Sequence, residues 1–277
     1  MKRLPSILAA VALVVTTIVG GTGPATAATY EYVKTRFSDT IYRVDAGDWT
    51  YTTRTAISYE EWVAAGRPTP DVYEPTDYES LPWSPVIHAL TFWPNNTWPE
   101  EHALTYDEWV TLGRPAPVRT YDLCDVMLCN TWRWANTEEL FLSTQSDPVH
   151  KLTFEEWNAL GNPAPYVSYL GVYKLPWDGR IVVVTPDKIG PGTTQPPSGL
   201  SFQCPAISYA QWAGLDFPTP QVVASGRDDR FLLWTNSSTI YYYGILGYFP
   251  ITYSQWAGAG FPPPIRTGRV TPQVQTC

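Results

Sequence analysis

One phrase recurs five times along these 277 residues and limits what the chain can become. It begins at Ile57 (ISYEEWVAAGRPTP), Leu104 (LTYDEWVTLGRPAP), Leu152 (LTFEEWNALGNPAP), Ile207 (ISYAQWAGLDFPTP) and Ile251 (ITYSQWAGAGFPPP), and each copy fits Ile/Leu–Ser/Thr–Tyr/Phe–x–x–Trp. The five tryptophans stand 47, 48, 55 and 44 residues apart. Periods of that length belong to propellers and other arrays, in which one supersecondary unit buries its apolar face against the next copy.

Each copy reads as a very short helix with both ends specified. Ser or Thr is the N-cap, and Glu61, Glu108, Glu156, Gln211 or Gln255 three residues later completes a capping box. The Ile or Leu before the cap and Trp62, Trp109, Trp157, Trp212 or Trp256 occupy the two positions of a hydrophobic staple. Gly66, Gly113, Gly161 and Gly260 supply a left-handed exit, and Pro-x-Pro stops the helix. Asp216 replaces that Gly in the fourth copy, where a less regular exit is expected. A helix of about seven residues does not persist alone in water. The tryptophan is therefore expected beneath its own helix, with truncation to Ala costing about 3 to 5 kcal/mol. These five residues are assigned to structure; the alternative is that they are sugar-stacking platforms.

Between the motifs, an aromatic residue, a polar turn and an apolar pair recur at 37–42, 83–88, 134–141, 177–182 and 234–241, the pattern of β-hairpins. The expected fold is mainly β with short helices, in five tandem hairpin-plus-helix units at about 29–70, 71–117, 118–165, 166–220 and 221–264 of one repeat domain, 29–277. The stretch 185–205, rich in Pro, Gly, Ser and Thr, reads as a surface loop. The closing tail, 265–277, opens like a sixth unit, since Ile265-Arg266-Thr267 matches Val118-Arg119-Thr120. A partial repeat ending in Cys277 favours a closed propeller-like ring, with an open repeat solenoid as the alternative. Two or three strands per unit are legible, against the four of a regular blade.

Lys2 and Arg3, the apolar run 7–19 and Ala25-Thr26-Ala27 describe a secretory signal peptide over 1–28. The expected location is secreted, extracellular or associated with the cell surface, with no integral membrane segment. Removing Lys2 and Arg3 takes the formal charge from −8 to −10. That balance, without a basic run, argues against nucleic acid as a partner. Four cysteines in an exported chain allow three pairings. Proximity favours Cys124 with Cys129, leaving Cys204 for Cys277. Neither a metal nor a cofactor is implied, because no C-x-x-C or His spacing accompanies them.

No catalytic residue is assigned. His88, His102 and His150 fall at repeat positions and read as structural. The acidic pairs Glu60-Glu61, Glu100-Glu101, Asp107-Glu108, Glu138-Glu139 and Glu155-Glu156 would serve a glycosidase only if folding set two carboxylates about 5 to 10 Å apart across a cleft. Three of those pairs are first-turn helix residues, already accounted for by the helix dipole. Four tryptophans, Trp49, Trp93, Trp98 and Trp132, match no repeat position. With Asn95, which lies between Trp93 and Trp98, they are the candidate ligand-binding residues. The alternative is that they cover the ends of hairpins.

The phrase Leu-Thr-Tyr-x-x-Trp-x-x-x-Gly-x-Pro-x-Pro, as at Leu104 to Pro117, resembles short aromatic repeats of secreted and cell-surface proteins of actinobacteria. The resemblance covers most of the chain after 28 and implies a role at the cell envelope. A looser likeness, by repeat number and period, is to five-bladed lectins. The expected function is that of a secreted, non-enzymatic repeat protein binding cell-wall glycan or another surface component through its inter-repeat loops. A secreted glycan-active hydrolase using paired carboxylates and a structural or protein-binding module are the alternatives.

Overall fold

A computed structural model describes residues 29–94, 98–190 and 206–268, together with the backbone of Gln275–Thr276. The expected signal peptide, Asn95, Cys204, Cys277 and most of the 185–205 stretch lie outside the described residues. The chain divides into two compact units between Tyr73 and Glu74. The first carries one β-sheet and the second carries four.

All five sheets are built the same way. A hairpin forms from a first strand (Tyr30–Thr35, Asp77–Ser80, Asn130–Arg133, Gly171–Lys174, Arg230–Trp234) and a second (Tyr42–Asp45, His88–Thr91, Leu140–Ser143, Ile181–Val184, Ile240–Gly244). A third strand (Thr55–Ala56, Glu100–Ala103, His150–Leu152, Ala206–Ile207, Gly247–Pro250) continues the antiparallel meander up to the helix. The capped helix and Pro-x-Pro then carry the chain to the opposite edge. There a fourth strand (Asp71–Tyr73, Val118–Arg119, Tyr166–Val167, Gln221–Val222, Ile265–Thr267) pairs parallel with the first. Such a parallel pairing requires a crossover, and the helix supplies it.

Four strands per sheet thus replace the two or three legible in the sequence. The fourth was missed because it is two or three residues long and lies beyond the prolines. Ile265–Thr267 does not open a sixth unit: it pairs with Leu232, Leu233 and Trp234 and completes the fifth sheet. Gln275–Thr276 adds a further antiparallel strand against Gly247 and Tyr248.

Within residues 74–277, each pair of sheets consecutive in sequence shares an apolar cluster. Leu81, Leu90, Leu142 and Leu152 pack with Leu123 and Met127 of an extra helix, Leu123–Met127. Trp134 and Phe141 pack with Val172, and Tyr173, Leu175 and Val182 pack with Tyr242, Leu246 and Phe249. The hairpin tryptophans belong to this packing. Trp83 joins the cluster that holds Trp157 and Leu160 of the following helix, and Trp177 the one that holds Trp256. Cys124 and Cys129 form a disulfide at the edge of the first cluster, as their spacing predicted.

Every repeated helix has the predicted capping box, Ser58 with Glu61, Thr105 with Glu108, Thr153 with Glu156, Ser208 with Gln211 and Thr252 with Gln255. The tryptophans depart from expectation. None is fully buried; each is half-covered and donates its indole N–H to the carbonyl of the first proline after the helix, at 2.9 to 3.0 Å. A helix this short has too narrow a face to hide a whole indole, so the ring closes over the helix exit instead. Each exit contains two successive left-handed residues, including Asp216 and Phe217 at φ 54° and 52°. Asp216 keeps the left-handed exit but at φ 54° against 81° to 86° for the glycines, and the C-cap Leu215 departs to φ −96°, the less regular exit expected there. The Asp216 carboxylate accepts from the Lys151 amide at 2.7 Å, tying the fourth helix exit to the third sheet.

Candidate functional site, a repeated aromatic cleft

The first helical residue of each repeat is aromatic and faces solvent. Tyr59, Tyr106, Phe154, Tyr209 and Tyr253 are 64 to 73% exposed. Each lies 5.8 to 6.1 Å, ring centre to ring centre, from the tryptophan of its own helix. The capping box places the aromatic residue directly after the cap, and the staple turns the tryptophan back toward it.

Below the first two of these rings opens a cleft between the helix start and the hairpin turn. In the first repeat it has a volume of about 380 Å³ and is lined by Lys34, Asp39, Ile41, Ile57, Ser58, Tyr59, Trp62 and Pro70. In the second it has a volume of about 290 Å³ and is lined by Pro85, Ile87, Leu104, Thr105, Tyr106 and Trp109. Six positions are common to the two linings, Asp39 with Pro85, Ile41 with Ile87, Ile57 with Leu104, the cap, the tyrosine and the tryptophan, while Lys34 and Pro70 line the first cleft alone.

Strand register gives the floor of the cleft in the first two repeats, and aliphatic residues of the same row in the other three, Leu140, Leu152, Ile181, Ile240 and Ile251, are packed into the clusters shared between sheets. Directly opposite residues of neighbouring strands share a face, so one row crosses each sheet from fourth strand to third. It reads Val72–Lys34–Ile41–Ile57 in the first repeat and Arg119–Ser80–Ile87–Leu104 in the second. The third and fourth repeats have Val167–Arg133–Leu140–Leu152 and Val222–Lys174–Ile181–Ile207. The fifth has Arg266–Leu233–Ile240–Ile251.

The exits vary around this frame. Arg114 lies over the Trp109 ring at 5.8 Å, whereas Phe217 and Phe261 meet Trp212 and Trp256 edge-on at 5.0 Å and make a three-ring cluster with Tyr209 and Tyr253.

The residues singled out from the sequence differ in their burial. Trp93 is buried and donates to Glu100 at 2.8 Å. Trp132 stacks on Phe141 and meets Trp134 edge-on, within the shared cluster. Trp49 and Trp98 are exposed, at 78% and 57%. The aromatic residue after each cap was present in the motif but was read only as part of a helix. Its signal was recurrence at a position that the staple does not use.

At least one carboxylate of each acidic pair is engaged. Glu61, Glu108 and Glu156 close capping boxes, the latter two also meeting His102 and His150 at 3.2 and 3.1 Å. Glu139 holds Lys151 and Thr219, and Glu138 pairs with Arg133. Glu100 and Glu101 divide between Trp93 and His88. His88 is wholly buried, with Glu101 at 2.5 Å from Nδ1 and Asp147 at 3.1 Å from Nε2. The second contact is an ion pair whose alignment falls short of a hydrogen bond. Ser84 donates to the other oxygen of Asp147. Burial opposes a charge on the ring, but the close contacts and charges of Asp147 and Glu101 outweigh it and push the imidazolium up to about 9. This cluster joins the second sheet to the loop after the third sheet's hairpin and has the chemistry of an internal tie.

Fold and site together define a tandem β-repeat protein with an aromatic cleft in each of its first two repeats. No family model, curated protein or solved structure matches the chain. Among the described residues, no helix is long and apolar enough to cross a membrane, and no group of three or more His, Cys, Asp or Glu is placed to hold a metal ion.

Proposed function

We propose that this is an exported, non-enzymatic repeat protein that binds a polymeric glycan of the cell envelope through its aromatic clefts. The observation that carries the reading is one cleft at the same place in the first two repeats, with an exposed aromatic ring at its lip that recurs at that position in all five copies. A sugar ring offers an apolar C–H face to an aromatic side chain and hydroxyls to neighbouring polar atoms, here the cap hydroxyl and Asp39 or the backbone of the hairpin turn. A single open cleft of this size binds weakly. Two on one chain, facing a polymer of like units, raise avidity without new contacts. The carboxylate pairs are absorbed by caps and ion pairs, which favours binding over hydrolysis. The propeller-like closure expected from the repeat count is part of the same proposal, and small-angle scattering tests it.

A glycan array followed by titration with the best polysaccharide tests the function. Tyr59→Ala and Tyr106→Ala are expected to weaken binding about fivefold or more while leaving the fold intact. Release of shortened products by the unmodified protein would overturn the non-enzymatic reading, and binding indifferent to every such tyrosine would overturn the site.

A further inference from the structure

The first cleft has a counterpart in the one loop tryptophan that stands almost free. We infer that this chain pairs with a second copy of itself, Trp49 of each copy seating in the first cleft of the other, between Ile41, Ile57 and Trp62; this goes beyond the glycan reading and does not rest on it.

The socket is identified by what fills the same place in later repeats. In the third repeat Trp83, from the turn of the preceding sheet, shares a cluster with Leu140, Leu152 and Trp157. In the fifth, Trp177 from the turn before it does the same with Ile240, Ile251 and Trp256, and in the fourth Trp134 clusters with Ile181. Ile41, Ile57 and Trp62 hold the same three repeat positions, and no described sheet precedes them in the chain to supply a tryptophan. The first cleft therefore continues, on an open face, the interface that joins one repeat to the next.

Trp49 is the matching plug. At 78% it is the most exposed large apolar side chain among the described residues. One carboxylate holds its loop in shape: Asp48 accepts from the amides of Thr50 and Thr53 at 3.2 and 2.8 Å, and from the hydroxyls of Thr50, Thr52 and Thr53 at 2.5, 3.0 and 2.9 Å. Tyr51, left-handed at φ 55°, meets Tyr73 edge-on at 5.3 Å and anchors the loop to the fourth strand. A tryptophan held out on a preorganised loop loses little entropy on docking, and seated tryptophans are among the residues that dominate interfaces.

One copy cannot fill its own cleft. The second strand runs from Ile41 beside the cleft to Asp45 beside the loop, so plug and socket stand at opposite ends of one sheet. Two copies laid antiparallel bring both contacts together and close as an isologous pair. The flanking charges agree: Lys34 and Asp39 line the cleft, Asp45 and Arg54 flank the loop, and each side thus offers a cation and a carboxylate. The second cleft has no charged residue in its lining. Seating a plug leaves the lip ring available, since Phe154 and Tyr253 stay 73% exposed beside the places that Trp83 and Trp177 fill.

Sedimentation velocity of the full chain from about 1 to 200 μM tests the pairing. A concentration-dependent dimer is expected. Trp49→Ala removes the plug and Ile41→Lys blocks the socket, and each is expected to weaken association about tenfold or more. Thermal unfolding of Trp49→Ala should match that of the unmodified protein; where Ile41→Lys unfolds early, Trp49→Ala alone decides. A mixture of the two folded variants keeps one intact plug and one intact socket, so it should associate more tightly than either variant alone. Tyr106→Ala, in the second cleft, should leave association unchanged. A chain that stays monomeric throughout, a dimer that Trp49→Ala leaves intact, or a mixture of folded variants no tighter than its parts overturns the pairing, and none of these results touches the glycan reading.

Discussion

Trp109 donates its indole N–H to the carbonyl of Pro115 at 3.0 Å, and the equivalent bond closes all five helix exits. The bond spans the two left-handed residues Gly113 and Arg114, a conformation that costs free energy at the non-glycine position. The tryptophan is thus a clasp on the turn as well as a staple on the helix start. Trp109→Phe keeps most of the ring and deletes the donor, and should cost about 1 kcal/mol in chemical denaturation. An unchanged midpoint and slope would show that the clasp contributes nothing.

The imidazolium of His88 makes the stability of the 74–277 unit depend on pH. Its folded value, about 9, lies above the ordinary 6.5, so its contribution is complete below about pH 6.5 and is lost as pH rises through 9. The full contribution is on the order of 3 kcal/mol. Asp147 has the opposite sign. Burial raises it, but His88 and Ser84 outweigh burial and hold it below the usual carboxylate range, so its contribution is lost on acidification. Denaturation midpoints from pH 5 to 10 should fall above neutrality, and His88→Gln should remove that fall. A flat profile for the unmodified protein would falsify the assignment.

Two equivalent glycines should respond to alanine with opposite signs. Gly214 ends the fourth helix, where an added Cβ meets nothing within 4 Å, whereas at Gly258, ending the fifth, it would lie 2.9 Å from Cβ of Trp177. Gly214→Ala gains helix propensity and should stabilise by up to about 1 kcal/mol. Gly258→Ala makes the same gain but overpacks a contact between repeats and should destabilise, by about 1 to 2 kcal/mol. Melting temperatures of the two variants, measured side by side, decide it.

Reducing Cys124–Cys129 should cost about 2 kcal/mol, the loop entropy of a short closed segment, with the loss expressed in the unit that contains Leu123 and Met127. Denaturation with and without reductant measures it, Cys124→Ser with Cys129→Ser serving as the reduced state. A midpoint that does not move would mean that apolar packing alone fixes that helix.

Local features were readable because their causes are local. Ser58 and Glu61 satisfy each other across three residues, so the box can be recognised wherever the spacing occurs. Hairpin and helix positions followed from the same reasoning, and His102 and His150 proved to be repeat variants beside capping carboxylates. The loop tryptophans were not readable. Trp93 turns inward to Glu100 and Trp132 onto Phe141, choices set by neighbours that the sequence does not place nearby.

By itself the sequence determined the unit: a capped six-residue helix, a proline stop and a hairpin before it, five times over. Each depends on hydrogen bonds and sterics among residues within one turn or one loop. Tertiary structure decided what the unit encloses. Only strand register sets Lys34 beside Val72 and Arg266 beside Leu233, and only the crossover lays Tyr59 and Trp62 over Ile41 and Ile57. Pairing of segments some 30 to 40 residues apart is fixed by which apolar faces find cover, a property of the whole fold rather than of any one stretch.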